Sequence, residues 1–183
     1  MQLEGGTGML IGKAGFLLLI VFFFVGCKTT QTKTLSPKPK EAWWVAEVFT
    51  PSETNIKGIP ISQIMPDWER ALLINEDYLK KRLSESQFGD IQQSNLKFDV
   101  QINLDKMPDE ETIVVGVYEA SSGEKGKFIA IFRDSKFIKL FTDASASGYS
   151  SIFLEGNQIR WYKCMECGNF DSILWTGSDY ILQ

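Results

Sequence analysis

Cys164-Met165-Glu166-Cys167 is the stretch whose residue types and spacing could do sulfur chemistry in the body of the chain. Two cysteines three apart can act in three ways. A redox pair opens a helix after a strand, where the helix dipole lowers the thiol pKa. Here the motif follows the strand-forming run 159–162 and leads through Gly168-Asn169 toward another strand. A zinc site needs four ligands. The chain has three cysteines and no histidine, so carboxylates or a second copy would have to complete the set. A local disulfide would pin a hairpin loop, and closing so small a loop stabilises the fold only slightly. The missing histidine also removes the commonest general base and any Ser-His-Asp arrangement. No glycine-rich phosphate loop is present, since Gly123-Glu124-Lys125-Gly126 reads as a hairpin turn. No catalytic residue, metal or cofactor is expected.

Two further stretches carry oxygen and aromatic chemistry. Asp105, Asp109, Glu110 and Glu111 precede an apolar strand pattern. They could give part of the six to eight oxygens that calcium takes. The stretch resembles the calcium loop before the strand of FG-GAP-type repeats, in one copy, without that loop's alternating Asp and Asn ligands or central Gly. A solvated acidic turn is the plainer expectation. Residues 143–151 are small, with one aromatic. The core Ala146-Ser147-Gly148-Tyr149, with Trp161 downstream, resembles the Ser-Gly-x-x-Tyr loop of membrane-bound C-type lysozyme inhibitors. Those are small periplasmic lipoproteins with a β-barrel and a disulfide. The resemblance implies that Ser147 and Tyr149 bind a partner, although Tyr149 here directly follows Gly148. The plainer expectation is a small-residue connection between hairpins.

The third cysteine stands at the end of an apolar run. Residues 16–25 are uninterrupted apolar residues preceded by Lys13. The run is too short to span a bilayer, which takes roughly 20 residues. A cation, a short apolar core and a small-residue exit fit a secretory signal. Phe24-Val25-Gly26-Cys27 resembles the lipobox of bacterial lipoproteins, with Phe24 where Leu is usual. The resemblance implies a signal peptide over 1–26, cut before Cys27, which then carries acyl chains on its sulfur and amine. Several chains anchor a soluble domain stably, because each buried methylene contributes about 0.8 kcal/mol. Lys28, where an Asp would retain the protein at the inner membrane, favours the periplasmic face of the outer membrane. Met9 is a second candidate start. Export to an oxidising compartment favours the disulfide reading of Cys164 and Cys167.

Residues 27–40 hold repeated Thr and Lys, two prolines and one large apolar residue. Such a segment cannot bury enough surface to offset its ordering entropy and reads as a disordered tether. The formal net charge of −4 gives no electrostatic case for nucleic acid.

Residues 41–183 then form a single domain. Residues 42–49, with Trp43 and Trp44, read as a strand, one tryptophan in the core and one at the rim. Residues 66–84 carry apolar residues at helical spacing, with Asp67 and Glu69 early and Lys80, Lys81 and Arg82 late, as the helix dipole prefers. They read as one helix with a possible break at Asn75, where Asn75-Glu76-Asp77 could instead cap a second helix. Residues 84–94 read as a loop. From 96 onward short alternating runs are joined by tight turns, the mark of antiparallel hairpins. The expected fold is α+β: a mostly antiparallel sheet, open or curled toward a barrel, with one helical segment near 66–84. The expected role is a lipid-anchored envelope protein that binds a protein or cell-wall partner without catalysis. A lysozyme-inhibitor-like role, a carboxylate-dependent envelope hydrolase and an assembly lipoprotein of an envelope machine are the alternatives.

Overall fold

The computed structural model describes residues 43–144, 148–164 and 168–183. The chain divides into two compact units, residues 1–39 and 40–183, and every described residue lies in the second. The fold is α+β and mainly antiparallel sheet, as the hairpin pattern predicts. Its centre is a five-stranded sheet. β5 (Glu111–Ala120), β6 (Lys125–Arg133) and β7 (Lys136–Asp143) form a meander. On the other edge of β5, two strands lie end to end. β3 (Trp68–Leu73) pairs with residues 116–120 and β4 (Asp99–Ile102) with residues 111–114. A second sheet holds β8 (Ser151–Glu155), β9 (Gln158–Tyr162), β10 (Phe170–Trp175) and β11 (Tyr180–Leu182), in the order 11-10-9-8. Both sheets are open, and neither curls into a barrel among the described residues.

Alternation along β5 and β6 explains the layering. Odd positions Ile113, Val115, Val117, Ile129 and Ile131 face the second sheet, where Ile152, Ile159, Trp161 and Ile173 meet them. All nine are buried, and each such side chain is worth about 1.5–3 kcal/mol. Even positions Val114, Tyr118, Phe128, Ala130 and Phe132 form a smaller core on the opposite face. It is covered by the hairpin of β1 (Asn55–Ile56) and β2 (Ile59–Pro60) and by the short α2 (Ile61–Ile64). Two glycines make room here. Gly116 pairs with Phe128 and Gly126 with Tyr118. A Cβ on Gly116 would sit 2.4 Å from the Phe128 ring, and one on Gly126 2.6 Å from the Tyr118 ring. Both aromatic rings therefore lie flat over the partner strand.

Three local expectations need correction. The first half of 66–84 is strand β3, not helix. A register shift between Trp68 and Arg70 places Trp68 and Ala71 in the same core, three residues apart, with Leu72 in the other. A bulge thus imitates helical spacing. The helix that does form is α3 (Glu76–Arg82), capped by the Asn75 side chain on the Tyr78 amide at 2.8 Å. Residues 84–94 are not a loop but α4 (Glu85–Gln93), started by a capping box between Ser84 and Gln87. At the front, the expected strand 42–49 is a single helical turn, α1 (Trp43–Ala46), followed by irregular chain in which Phe49 is buried. Trp43 and Trp44 are both half-buried against the main core.

Candidate functional site

The second sheet turns one face to the core and the other outward. Its inward residues are Ile152, Ile159, Trp161, Ile173 and Tyr180. Alternation puts Phe153, Arg160, Tyr162 and Phe170 on the outward side, with Phe153 also packed against the edge of the main core. The register lines them up, with Phe153 opposite Arg160 and Tyr162 opposite Phe170. Tyr162 lies 5.2 Å from Phe170 and 6.3 Å from Phe153, ring centre to ring centre. The Arg160 guanidinium stands 4.7 Å over the Phe170 ring and pairs with Glu155. Its Nε is shielded and has no hydrogen-bond partner. Phe170 is 37% exposed, and Ile181 on the neighbouring β11 is 41% exposed. Rings, an arginine stacked on one of them, and exposed aliphatic surface are the composition of interface anchors.

Two charged groups tie the sheets together and are turned inward. At one end, the Arg133 Nη2 donates to both Asp105 and Glu111 and, at 3.2 Å, to the Tyr180 hydroxyl. That hydroxyl has one proton to give; it lies 2.6 Å from Glu111 and 3.1 Å from Asp105, so Glu111 receives it. The remaining carboxylate oxygens take backbone amides, Asp105 from Met107 and Glu111 from Leu104, each at 2.9 Å. Burial pushes the Asp105 carboxyl up, but the donors that reach it, the Met107 amide and Arg133, hold it below the usual range. Hydrogen bonds to Asp105 and Glu111 raise the Arg133 pKa. Burial, then Glu111, raises that of Tyr180.

At the other end, the buried Lys127 donates from Nζ to the Lys163 carbonyl at 2.7 Å. Lys163 in turn pairs with Asp171 at 2.9 Å and Asp143 at 3.7 Å, over the ring of Trp161. Burial pushes the Lys127 ammonium down, against the pull of Asp143 and with the help of Lys163. On the far face of the first sheet, Trp68 stacks on Tyr118 at 4.3 Å, and the Tyr118 hydroxyl donates to Glu124 at 3.0 Å. Burial, then Glu124, pushes Tyr118 up to about 12.

Of the residues singled out in the sequence, Tyr149 is fully buried. It packs against Phe49 at 4.9 Å, Phe98 at 5.8 Å and Trp43 at 6.2 Å. Such a side chain is core and offers no surface of its own in this fold. Ser147, Cys27 and Cys167 lie outside the described residues; Cys164 follows β9 by two positions. The acidic stretch is not a solvated turn throughout. Asp109 and Glu110 are exposed, while Asp105 and Glu111 are buried on Arg133 and Tyr180. Among the described residues no cluster of carboxylates or cysteines could hold a metal ion, and no helix is long and apolar enough to cross a membrane.

The outward rings and both ionic groups escaped the sequence reading. One signal was available, since Glu111 shares the parity of Ile113 and Val115 and so had to face the core. No protein family, curated protein or solved structure matches the chain.

Proposed function

We propose that this chain is a lipid-anchored envelope protein that binds a protein or cell-wall partner and catalyses no reaction. The observation that carries the reading is the outward row of Phe153, Tyr162 and Phe170 with Arg160 stacked on Phe170. Arg133, Asp105, Glu111 and Lys127 are occupied in joining the two sheets. Acyl chains on Cys27 would hold the body to the periplasmic face of the outer membrane, and residues 28–40 would give it reach. Cys164 and Cys167 would close a disulfide beside the ring row. The lysozyme-inhibitor-like reading draws no support from Tyr149, whose ring is enclosed.

The test is site-specific photocrosslinking of the full chain in cells. A crosslinker replacing Phe170 or Ile181 is expected to give one discrete adduct, lost in Arg160→Ala. A crosslinker at Lys57, on a turn among other elements, is expected to give none. Equal labelling at all three positions, or none at 170 and 181, ends the proposal. Anchoring is read separately. Cys27→Ser should lose palmitate label and leave the membrane fraction; an unlabelled wild-type chain would refute it.

A further inference from the structure

Among the described residues, three clefts open around β3 and the chain over 48–55 beside it. One of about 210 Å³ lies by Trp68 and Tyr118, and one of about 270 Å³ by Val48 and Phe49. Both fall below the roughly 300–1,000 Å³ typical of small-molecule sites. The third, about 390 Å³, falls within it. It lies between the segment 53–55, the end of β3 and the outward side of α3.

The lining of this cleft is chemically mixed. The half-buried Leu73 gives it an apolar patch, and Leu72, buried in the main core, adds only its edge. Asp77 and Lys81 stand one helical turn apart, where such residues commonly pair, yet no ion pair joins them. The Tyr78 ring is steadied by Phe49 at 5.7 Å, and no hydrogen bond engages its hydroxyl. The Asn75 Oδ1 is spent on capping α3, which leaves its amide N–H groups free to donate. Glu53 adds a second carboxylate at the other wall.

A cleft holding free donors, free acceptors, one group that does both and an apolar patch suits a ligand of matching pattern. The geometry points to a site for a neutral saccharide of one or two rings. Sugar hydroxyls donate and accept at once, and a pyranose ring has an apolar C–H face to lay on leucine. The charge balance decides against an anionic ligand. Glu53 and Asp77 against Lys81 leave the lining one negative charge, which repels a phosphate or carboxylate. The site is independent of the outward ring row and does not rest on the function proposed for it.

The probe is the neutral disaccharide of N-acetylglucosamine, titrated into the full chain and followed by amide chemical shifts. Saturable shifts are expected at Leu72, Leu73, Asn75 and Lys81. Tyr78→Phe at a half-buried position and Lys81→Ala at an exposed one should each weaken binding about tenfold, as loss of one or two hydrogen bonds does. Neither should alter the thermal midpoint appreciably. Glucose 1-phosphate should bind more weakly than the neutral sugar. The inference is overturned if no saturable shift appears, if shifts fall only near Tyr162 and Phe170, if neither variant weakens binding, or if the sugar phosphate binds more tightly.

Discussion

The two ends of the sandwich solve one problem in two ways. Arg133 and Lys127 lie on the same strand and the same face, six residues apart, hence about 20 Å. Each reaches across from the first sheet to the second. Around Arg133 the carboxylate side of the net is closed, while the shielded Arg133 Nε has no hydrogen-bond partner. Both carboxylates are buried, at 3% and 0% side-chain exposure, and all four of their oxygens accept a hydrogen bond. Around Lys127 the net is open. Lys127 meets a backbone carbonyl, and the acids that balance it, Asp143 and Asp171, keep 24% and 33% of their side chains in water. Formal charge differs as well: one cation against two carboxylates at the first end, two against two at the second. The lesson is that burial, more than the number of ion pairs, sets what it costs to break a link. Removing one partner of a buried pair leaves an uncompensated charge, whereas a wetter group is solvated where it stands.

The comparison is broken most sharply at Arg133. Arg133→Met leaves two buried carboxylates facing one hydroxyl and should destabilise the protein by about 3–5 kcal/mol. Urea denaturation of the full chain measures it. A loss below about 1 kcal/mol would mean that water enters this end.

Proton linkage should separate the ends by pH. Asp105 is held below the usual carboxyl range, so the stability it contributes is complete above its unfolded value of about 3.9 and is lost as pH falls through the lower folded value. The urea midpoint should therefore fall below about pH 4, and by less in Asp105→Asn. Lys127 runs the other way. Its ammonium is pushed down by burial, so a penalty present at neutral pH is lifted as pH rises through the folded value toward about 10.4. Tyr118 and Tyr180, held protonated in the fold, oppose this from about pH 10 upward. The rise is thus best sought below about pH 10, before the tyrosines titrate. Wild type should show it and Lys127→Met should not; identical slopes would refute a charged buried lysine.

At neutral pH the same Lys127→Met change should cost about 1 kcal/mol or less. It removes a buried charge as well as its single hydrogen bond. The smallest effect belongs to Lys139 and Asp179, which join β7 to the turn before β11 at 2.6 Å on the surface. A double-mutant cycle to alanine should give a coupling of about 0.2–1 kcal/mol that fades in salt. A coupling as large as that at Arg133 would erase the distinction drawn from burial.

How much was legible beforehand varies along the chain. The hairpins from β5 to β11 could be read because alternation and turn residues are local properties. The helical reading of Trp68 to Leu73 failed because a bulge shifts the strand's period at that point. The helix α4 was hidden by its polarity, although Ser84 and Gln87 carried its start signal in plain view. Tyr149 looked like a loop aromatic because its neighbours are small, and only the approach of Phe49 and Phe98 makes it core.

By itself, the order of residues determined the antiparallel hairpins, the α+β class and the absence of histidine chemistry. Those depend on neighbours a few positions apart. The tertiary structure alone decided that Asp105, Glu111, Arg133 and Tyr180 meet, across separations of up to 75 residues. It alone set Phe170 against Arg160 and hid Tyr149. The physical reason is that a charge or a ring acquires its role from the dielectric and the partners around it, and those are supplied by chain segments far away in sequence.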